Sequence, residues 1–455
     1  MDILWYIVGI IAIAFVIAVS IALHELGHLF WAKRFGIKVE QYMIGFGPTL
    51  ISWRRGETEY GFKAFPLGGY ISMIGMFPPD EAVDASEESA QKDGTKPGLI
   101  TVSRRRLAQM VRNARRASAD TIAPGDEHRT FYRQPVWKRL LVMLGGPVMN
   151  LLIALVCYAV LVMGFGTVQS TTTLATVSQC VIAADSTQTE CTDSDPLSPG
   201  AAAGLLPGDQ VLSIGGEDVN QWSDVQTIVQ PLAGQTVTVQ VLRDNAVVSL
   251  DLTPQASTRY VYDKFGRVQT NADGTKQTET VGFIGISPTS TRVRQPITAA
   301  FTAVGDNLQL AAEGIISLPQ KVVAATQAAF SDQARDPDGP MSVVGVGRVA
   351  GELTASDQIS LSEKVASLIG LAASLNVALF AFNMIPLMPL DGGHIFGALW
   401  EGLRRAVARM TGRRDPGPFD AARLMPLTVV VFAVLLATGG MLIYADLVKP
   451  IQIFG

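Results

Sequence analysis

Residues 3–31 read ILWYIVGIIAIAFVIAVSIALHELGHLFW, and this run decides the fold class. A helix crossing the hydrocarbon core of a bilayer needs about 20 apolar residues. The run supplies them, interrupted only by the polar patch His24, Glu25 and His28. A secretory signal peptide carries basic residues in front of its apolar run and a small-residue cleavage site behind it. Here Asp2 stands in front and Lys33, Arg34 and Lys38 follow. The positive-inside rule reads the run as a retained span, N-terminus outside and residue 33 inside.

Ionisable side chains at membrane depth are costly and mark functional sites. His24-Glu25-Leu26-Gly27-His28 has the form H-E-x-x-H. Residues four apart share a helix face, so both imidazoles can reach one ion, and Glu25 stays near that face. The expected chemistry is Zn2+ held by His24 and His28, with Glu25 as general base toward water. The alternative is a His and Glu cap on the inner end of the span. Zinc needs a third protein ligand and an open fourth position. Asp391, in NMIPLMPLDGGH at 383–394, is the candidate. Pro386 and Pro389 break a helix before it, and Gly392 and Gly393 leave the backbone after it free to take unusual angles. A competing reading makes Asp391 the N-cap of a helix over 392–404. Charge favours ligation, because Zn2+ balances Glu25 and Asp391, whereas two carboxylates without a metal would be unpaired at membrane depth. His394 reads as a neighbour of the ligands, and His128 lies in a charged loop. Asn150 and Asn383 also stand in apolar spans. They either hydrogen-bond between helices or hold substrate backbone or an oxyanion.

Three further apolar runs follow, at 140–165, 368–390 and 424–443. Lys138 and Arg139 precede the second, and Arg404, Arg405, Arg409, Arg413 and Arg414 lie between the third and fourth. One orientation satisfies every cluster, with both termini outside and the zinc site towards the cytoplasm. The chain is 48% hydrophobic and only 17% charged, against about 25% charged in a soluble domain. Three cysteines exclude a disulfide-dense scaffold, and a net charge of −4 excludes a nucleic-acid binder. That charge is unevenly spread. Residues 170–364 hold 11 basic and 21 acidic residues, and the rest of the chain 25 and 19. The acidic block is therefore placed outside. Cys180 and Cys191 lie in it, where an oxidising compartment either bridges them or leaves two thiols. Cys157, within a span, reads as a small apolar residue.

The expected segmentation is a first transmembrane helix with HELGH (1–36), a membrane-associated β region (37–76), a cytoplasmic polar loop (77–135) and a second transmembrane helix (136–168). An extracytoplasmic β-rich domain (169–256) and a polar insertion with amphipathic helices (257–364) come next. A third transmembrane helix with LDGG (365–403), a cytoplasmic basic loop (404–423) and a fourth transmembrane helix (424–447) complete the chain. In 37–76, Tyr42–Ile44, Thr49–Trp53, Thr58–Ala64 and Tyr70–Ile74 are β-rich, with Arg54-Arg55-Gly56-Glu57 as a turn. An open strand edge there, tested along 58–64, would pair with an unwound substrate; a plain interfacial hairpin is the alternative. Asp80–Asp93 is acidic. Arg104–Arg116 is either a basic helix on the inner leaflet, in contact with membrane lipids, or a solvated loop, and the loop is preferred. Residues 340–352 are Gly-rich and carry no assignment.

HELGH in the first span, GPVMN at 146–150 and LDGG at 390–393 resemble the site-2 protease family of intramembrane zinc metalloproteases. GFGP at 45–48 and PLGGY at 66–70 carry the same resemblance. SPGAAAGLLPGD at 198–209 is similar to the PDZ domain of its bacterial members, and the single PDZ and the cysteine pair are most like actinobacterial ones. The resemblance implies four transmembrane helices, a membrane-associated β-hairpin region and an extracytoplasmic PDZ domain acting as a size filter or peptide contact. It implies zinc ligation by His24, His28 and Asp391, with Glu25 as base. It also implies transmembrane protein substrates such as anti-sigma factors, cut in regulated intramembrane proteolysis at the bacterial plasma membrane. The rival is a catalytically inactive membrane PDZ scaffold. It predicts loss of one of these four residues, and all four are present.

Overall fold

A computed structural model describes residues 3–79, 99–182, 190–192, 195–271, 275–332, 335–336 and 339–451. The chain forms two compact units, Gly166–Arg294 and the remainder.

In the larger unit, α1 (Ile3–Arg34) carries HELGH in its last turns. Strands β1 (Val39–Arg55) and β2 (Thr58–Met73) follow, joined at Gly56, whose φ of +65° suits the turn. Their ladder is irregular. Residues 41–44 pair on both sides, with 59–62 and with 69–72, while 49–55 pair with 58–63. Two long strands thus curl into four short segments, the four expected from the sequence. The segment 58–63 is interior to the sheet, so the open edge expected along 58–64 is absent there. Residues 69–72 have a partner on one side only. Phe46, Leu50, Ile51, Trp53 and Phe65 are exposed, an apolar rim of the kind that marks membrane contact.

Asp80–Asp93 lies outside the described residues. The basic stretch after it is helical, as α2 (Leu99–Asp120). It is docked rather than solvated: Arg115 pairs with Asp420, and Ser118 Oγ accepts the Phe77 amide at 2.9 Å. Helix α3 (Val136–Val160) continues in one wide turn to Phe165. It meets α1 backbone to backbone. A Cβ on Gly27 would stand 2.1 Å from Gly145 O, and one on Gly145 would stand 2.4 Å from Gly27 O. Small residues let membrane helices approach this closely.

The smaller unit contains β3 (Thr167–Val177), the short helix α4 (Pro199–Ala202) capped by Ser198, β4 (Gln210–Ile214) and β5 (Glu217–Asp218). Then come α5 (Trp222–Val229), β6 (Val237–Arg243), β7 (Ala246–Leu252), β8 (Gln255–Tyr260), β9 (Thr278–Phe283) and β10 (Ile286–Val293). One sheet has the order β10-β3-β4-β6-β7, with β5 beside β4, and β8-β9 pair separately. Alternating Val and Leu positions build the core, among them Leu174, Val211, Ile214, Val239, Val241 and Leu252. The β6–β7 turn is made by Asp244 and Asn245, both with positive φ, as the twist of a two-residue hairpin requires. Cys180 and Cys191 form a disulfide. The unit runs to Arg294, so the insertion after 256 belongs to it up to that point.

The chain then returns to the larger unit. Helices α6 (Thr298–Ala329), α7 (Val343–Ala355), α8 (Leu361–Asn383), α9 (Asp391–Met410) and α10 (Met425–Val448) follow. The unassigned Gly-rich stretch is α7, N-capped by Ser342. Its glycines serve close packing: Gly345 backs onto the Asp446 carboxylate and Gly351 onto the Tyr6 ring. Among the described residues four helices are long and apolar enough to cross a membrane: Ile3–Arg34, Val136–Phe165, Leu361–Asn383 and Ala421–Val448. The third span ends at Asn383 rather than 403, because LDGG opens the separate helix α9. Arg139 of α3 and Glu401 of α9 pair with both side chains buried. Removing one partner of such a pair costs about 3–5 kcal/mol.

Candidate metal centre and active site

Three polar groups converge where α1, α3 and the start of α9 meet. His24 Nε2 lies 3.2 Å from Asp391 Oδ2, His28 Nε2 lies 3.3 Å from it, and the two Nε2 atoms are 3.2 Å apart. Tetrahedral zinc with bonds of about 2.0–2.1 Å has ligand-to-ligand edges of about 3.3–3.4 Å. The triangle therefore has the dimensions of one face of a zinc site. Among the described residues, buried Asp391 Oδ2 has no hydrogen-bond donor other than the two imidazoles. An uncompensated buried carboxylate oxygen is costly, and a cation relieves that cost. The donor set of two imidazoles and one carboxylate suits zinc.

Each imidazole is held from behind. His28 Nδ1 donates to the Val142 carbonyl at 2.7 Å. The Asn150 amide nitrogen Nδ2 lies 3.1 Å from His24 Nδ1, and among the described residues Asn150 Oδ1 has no hydrogen-bond partner. Turning the amide end for end sets Oδ1 as acceptor against a protonated Nδ1 and gives the orphaned oxygen its donor. Both rings then turn an Nε2 lone pair toward the same point, the arrangement that orients metal-binding histidines. Of the two sequence readings of Asn150, an interhelical hydrogen bond or a hold on substrate or an oxyanion, the contact with His24 of α1 is of the first kind. Nothing local in the sequence pairs two residues 126 positions apart.

Asp391 reaches the site because α9 begins with it. The N-cap is Leu390 and no side chain caps the helix, so the capping alternative for Asp391 is not what the structure contains. Gly392 and Gly393 also act differently from the expectation. Neither has a positive φ. They are small because the loop after α8 folds over them: a Cβ on Gly392 would stand 2.2 Å from Ile385 O, and one on Gly393 2.7 Å from Met388 N.

A cavity of about 360 Å3 adjoins the triangle, lined by His24, Glu25, Gly69, Asn150, Leu379 and Asn383 among others. Glu25 borders it beside the one-sided strand segment, where a Cβ on Gly69 would stand 2.9 Å from Glu25 Cγ. Asn383 makes no side-chain hydrogen bond among the described residues. His394 is not part of the triangle and packs edge-on against Phe131.

Comparison with known proteins agrees with this geometry. The profile of Peptidase family M50 matches residues 12–413. The chain belongs to peptidase family M50. The protein named Zinc metalloprotease Rip1 from Mycobacterium tuberculosis is 32% identical to this M50 protease, covering 99% of both chains. The Mycolicibacterium smegmatis protein of the same name is 33% identical over 98% of this chain and 99% of its own. Metalloprotease MmpA of Caulobacter vibrioides is 28% identical over 89% of each. The M50 protease is thus an intramembrane zinc metalloendopeptidase of the site-2 type, a multi-pass membrane protein with zinc as its cofactor.

Proposed function

We propose that the M50 protease hydrolyses a peptide bond within the transmembrane segment of membrane-protein substrates, with His24, His28 and Asp391 holding zinc and Glu25 moving the proton. The triangle of donor atoms 3.2–3.3 Å on edge carries this reading. Bound zinc supplies Lewis-acid chemistry, polarising a carbonyl and lowering the pKa of water to about 7. Glu25 takes the proton of the attacking water and returns it to the departing amine. Asn383, with its amide uncommitted on the cavity wall, holds the substrate backbone or the developing oxyanion.

A transmembrane helix hides its amides in its own hydrogen bonds, so the substrate must be unwound before cleavage. The edge at 69–72, which runs past Glu25, offers an unwound segment a strand to pair with. In the orientation set by the basic clusters, both termini face outside and the site lies near the cytoplasmic face of the plasma membrane, with α2 over anionic lipids. The smaller unit is a PDZ-like domain on the outer side that engages substrate peptide. Anti-sigma factors, in regulated intramembrane proteolysis, are the proposed substrates. The test is metal and activity together. Purified protein is expected to hold one zinc, and Glu25→Gln to keep the metal while cleavage falls at least 100-fold. Retained cleavage by that variant removes Glu25 as the base, and retained zinc in Asp391→Ala removes Asp391 as a ligand.

A further inference from the structure

The two faces of the curled β region are unlike. Tyr42, Tyr60 and Ile71 pack into the core that holds Leu29 and Ala32 of α1. Gln41 stands opposite both Glu59 and Ser72, and Glu59 opposite Arg54. Side chains alternate along a strand and paired residues point the same way, so these four form a polar row on the other face. Hydrogen bonds bind the row: Gln41 Nε2 donates to Glu59 Oε2 at 3.2 Å, and Tyr70 Oη donates to Gln41 Oε1 at 3.2 Å. Glu40 joins it through a bulge. Val39 pairs with Met73 and Gln41 with Ser72, which leaves Glu40 as the extra residue. Such a bulge re-aims a side chain. Glu40 and Gln41 here line one cavity of about 690 Å3, together with Lys38, Arg54, Glu59 and Ser72.

The charges of this cavity do not cancel. Lys38 is committed to Asp126 at 2.7 Å. That leaves Glu40 and Glu59 against Arg54, two carboxylates to one guanidinium. Among the described residues Glu40 makes no ion pair or side-chain hydrogen bond, and Glu59 makes only the bond from Gln41. Glu40 is half-buried, and a carboxylate so placed favours a cation that brings its own donors.

One strand edge joins this cavity to the catalytic one. Gly69 lines the cavity beside Glu25, and Ser72, three residues on, lines the polar one. At about 3.3 Å per residue the two positions are about 10 Å apart. A peptide paired along 69–72 sends alternate side chains to opposite faces, one set toward α1 and the other over the polar row. The Ser72 end lies beside Lys38, on the side where the basic clusters place the cytoplasm. A transmembrane segment carries its Lys and Arg in that flank.

We propose that the polar cavity is a specificity subsite for a lysine or arginine in the cytoplasmic flank of the substrate. Glu40 receives the cation, with Glu59 beside it, about three to four residues from the scissile bond. The inference rests on the reading of 69–72 as the edge that pairs with substrate, and it adds the residue type that sets which bond lies at Glu25.

The test uses the full-length protein in detergent micelles and a library of single-span substrates. Six flank residues are drawn from Lys, Glu and Ser, and a fixed basic anchor further along holds the orientation. Cleaved molecules and cut positions are read by mass spectrometry. Wild type is expected to favour Lys over Ser about tenfold at one flank position, the scale of one charge-assisted pair, and to disfavour Glu there. Glu40→Gln is expected to flatten this preference, and Glu40→Lys to invert it toward Glu. Each preference is a ratio within one variant, so a loss of overall rate cancels, and an inverted ratio cannot come from misfolding. A flat ratio at every position in wild type overturns the subsite and leaves the edge pairing standing. A Lys preference that survives in Glu40→Lys overturns the assignment to Glu40. A Lys preference whose distance from the cut varies among substrates overturns the strand pairing beneath the proposal, because register fixes that spacing. A library that wild type leaves uncut overturns the reading of cleavage itself.

Discussion

Gly146 shows how much of the centre depends on what is absent from a side chain. A Cβ there would stand 2.2 Å from His28 Nε2 and 2.8 Å from His24 Cε1. A methyl group would occupy the space between the imidazoles and the opposing helix. Gly146→Ala is therefore expected to abolish zinc retention in a protein that still folds, checked by metal content against thermal unfolding. Gly164→Ala, on the same run, meets nothing within 4 Å and serves as the control. At this scale the sequence was legible wherever chemistry is local. HELGH places two imidazoles and a carboxylate by helical spacing alone, and LDGG marks the third donor through its surroundings. The contact of Asn150 with His24 and the clearance at Gly146 were not legible, because both arise from the way α3 crosses α1.

Among the elements, the curled β region makes the more specific commitment. Segment 58–63 has neighbours on both sides, whereas 69–72 is one-sided and passes Glu25. A proline scan across 69–72 is expected to find positions that slow cleavage about tenfold in folded protein, read by cleavage rate alongside yield. A scan in which cleavage and folding always fall together would count against strand pairing with substrate. The four β-rich runs were visible in the sequence from alternation and turn residues, but the edge was not, because pairing order is set by three glycine-assisted bends at Gly45, Gly47 and Gly68. Helix α7 was hidden for a related reason. Its glycines lower helix propensity, and packing against Tyr6 and Asp446 overrides that.

The loop before β4 offers a prediction about pH. Asp209 is buried, accepts two hydrogen bonds from Arg243 and one from the Leu206 amide, and is held below its ordinary pKa chiefly by the Arg243 bonds. A carboxylate with a lowered folded pKa stabilises the protein fully above the unfolded value of about 3.9 and loses that contribution as pH falls through the folded value. Asp209→Asn is expected to cost about 1–3 kcal/mol near neutral pH. In thermal unfolding across pH, the gap between wild type and variant should be constant above about pH 5 and close below about pH 4. A gap unchanged at low pH would mean that the ionised pair is not its source.

Over the whole molecule, charge and apolar length carried most of the readable information. Four apolar runs became four candidate spans, and the acidic block coincides in large part with the separate unit 166–294. The boundaries moved where composition is ambiguous. α6 and α7 are too mixed in polarity to announce themselves as parts of the membrane unit, and α9 begins where an apolar run appeared to continue. The orientation is open to direct measurement. A compartment-sensitive reporter inserted at Gly266 is expected to read outside and one at Gly412 inside; the reverse pair of signals would invert the topology.

The glycine contacts of α1 have a mechanical consequence. Gly9 near its start presses on Ala350 and Thr354 of α7, and Gly27 near its end presses on Gly145 of α3. A rod clamped at both ends neither slides nor rolls. His24 and His28 are thus the stationary jaw of the centre, while Asp391 arrives at the end of the seven-residue link between α8 and α9. The two imidazoles ride on one continuous helix, and the carboxylate on a separate one that the Arg139–Glu401 pair ties to α3.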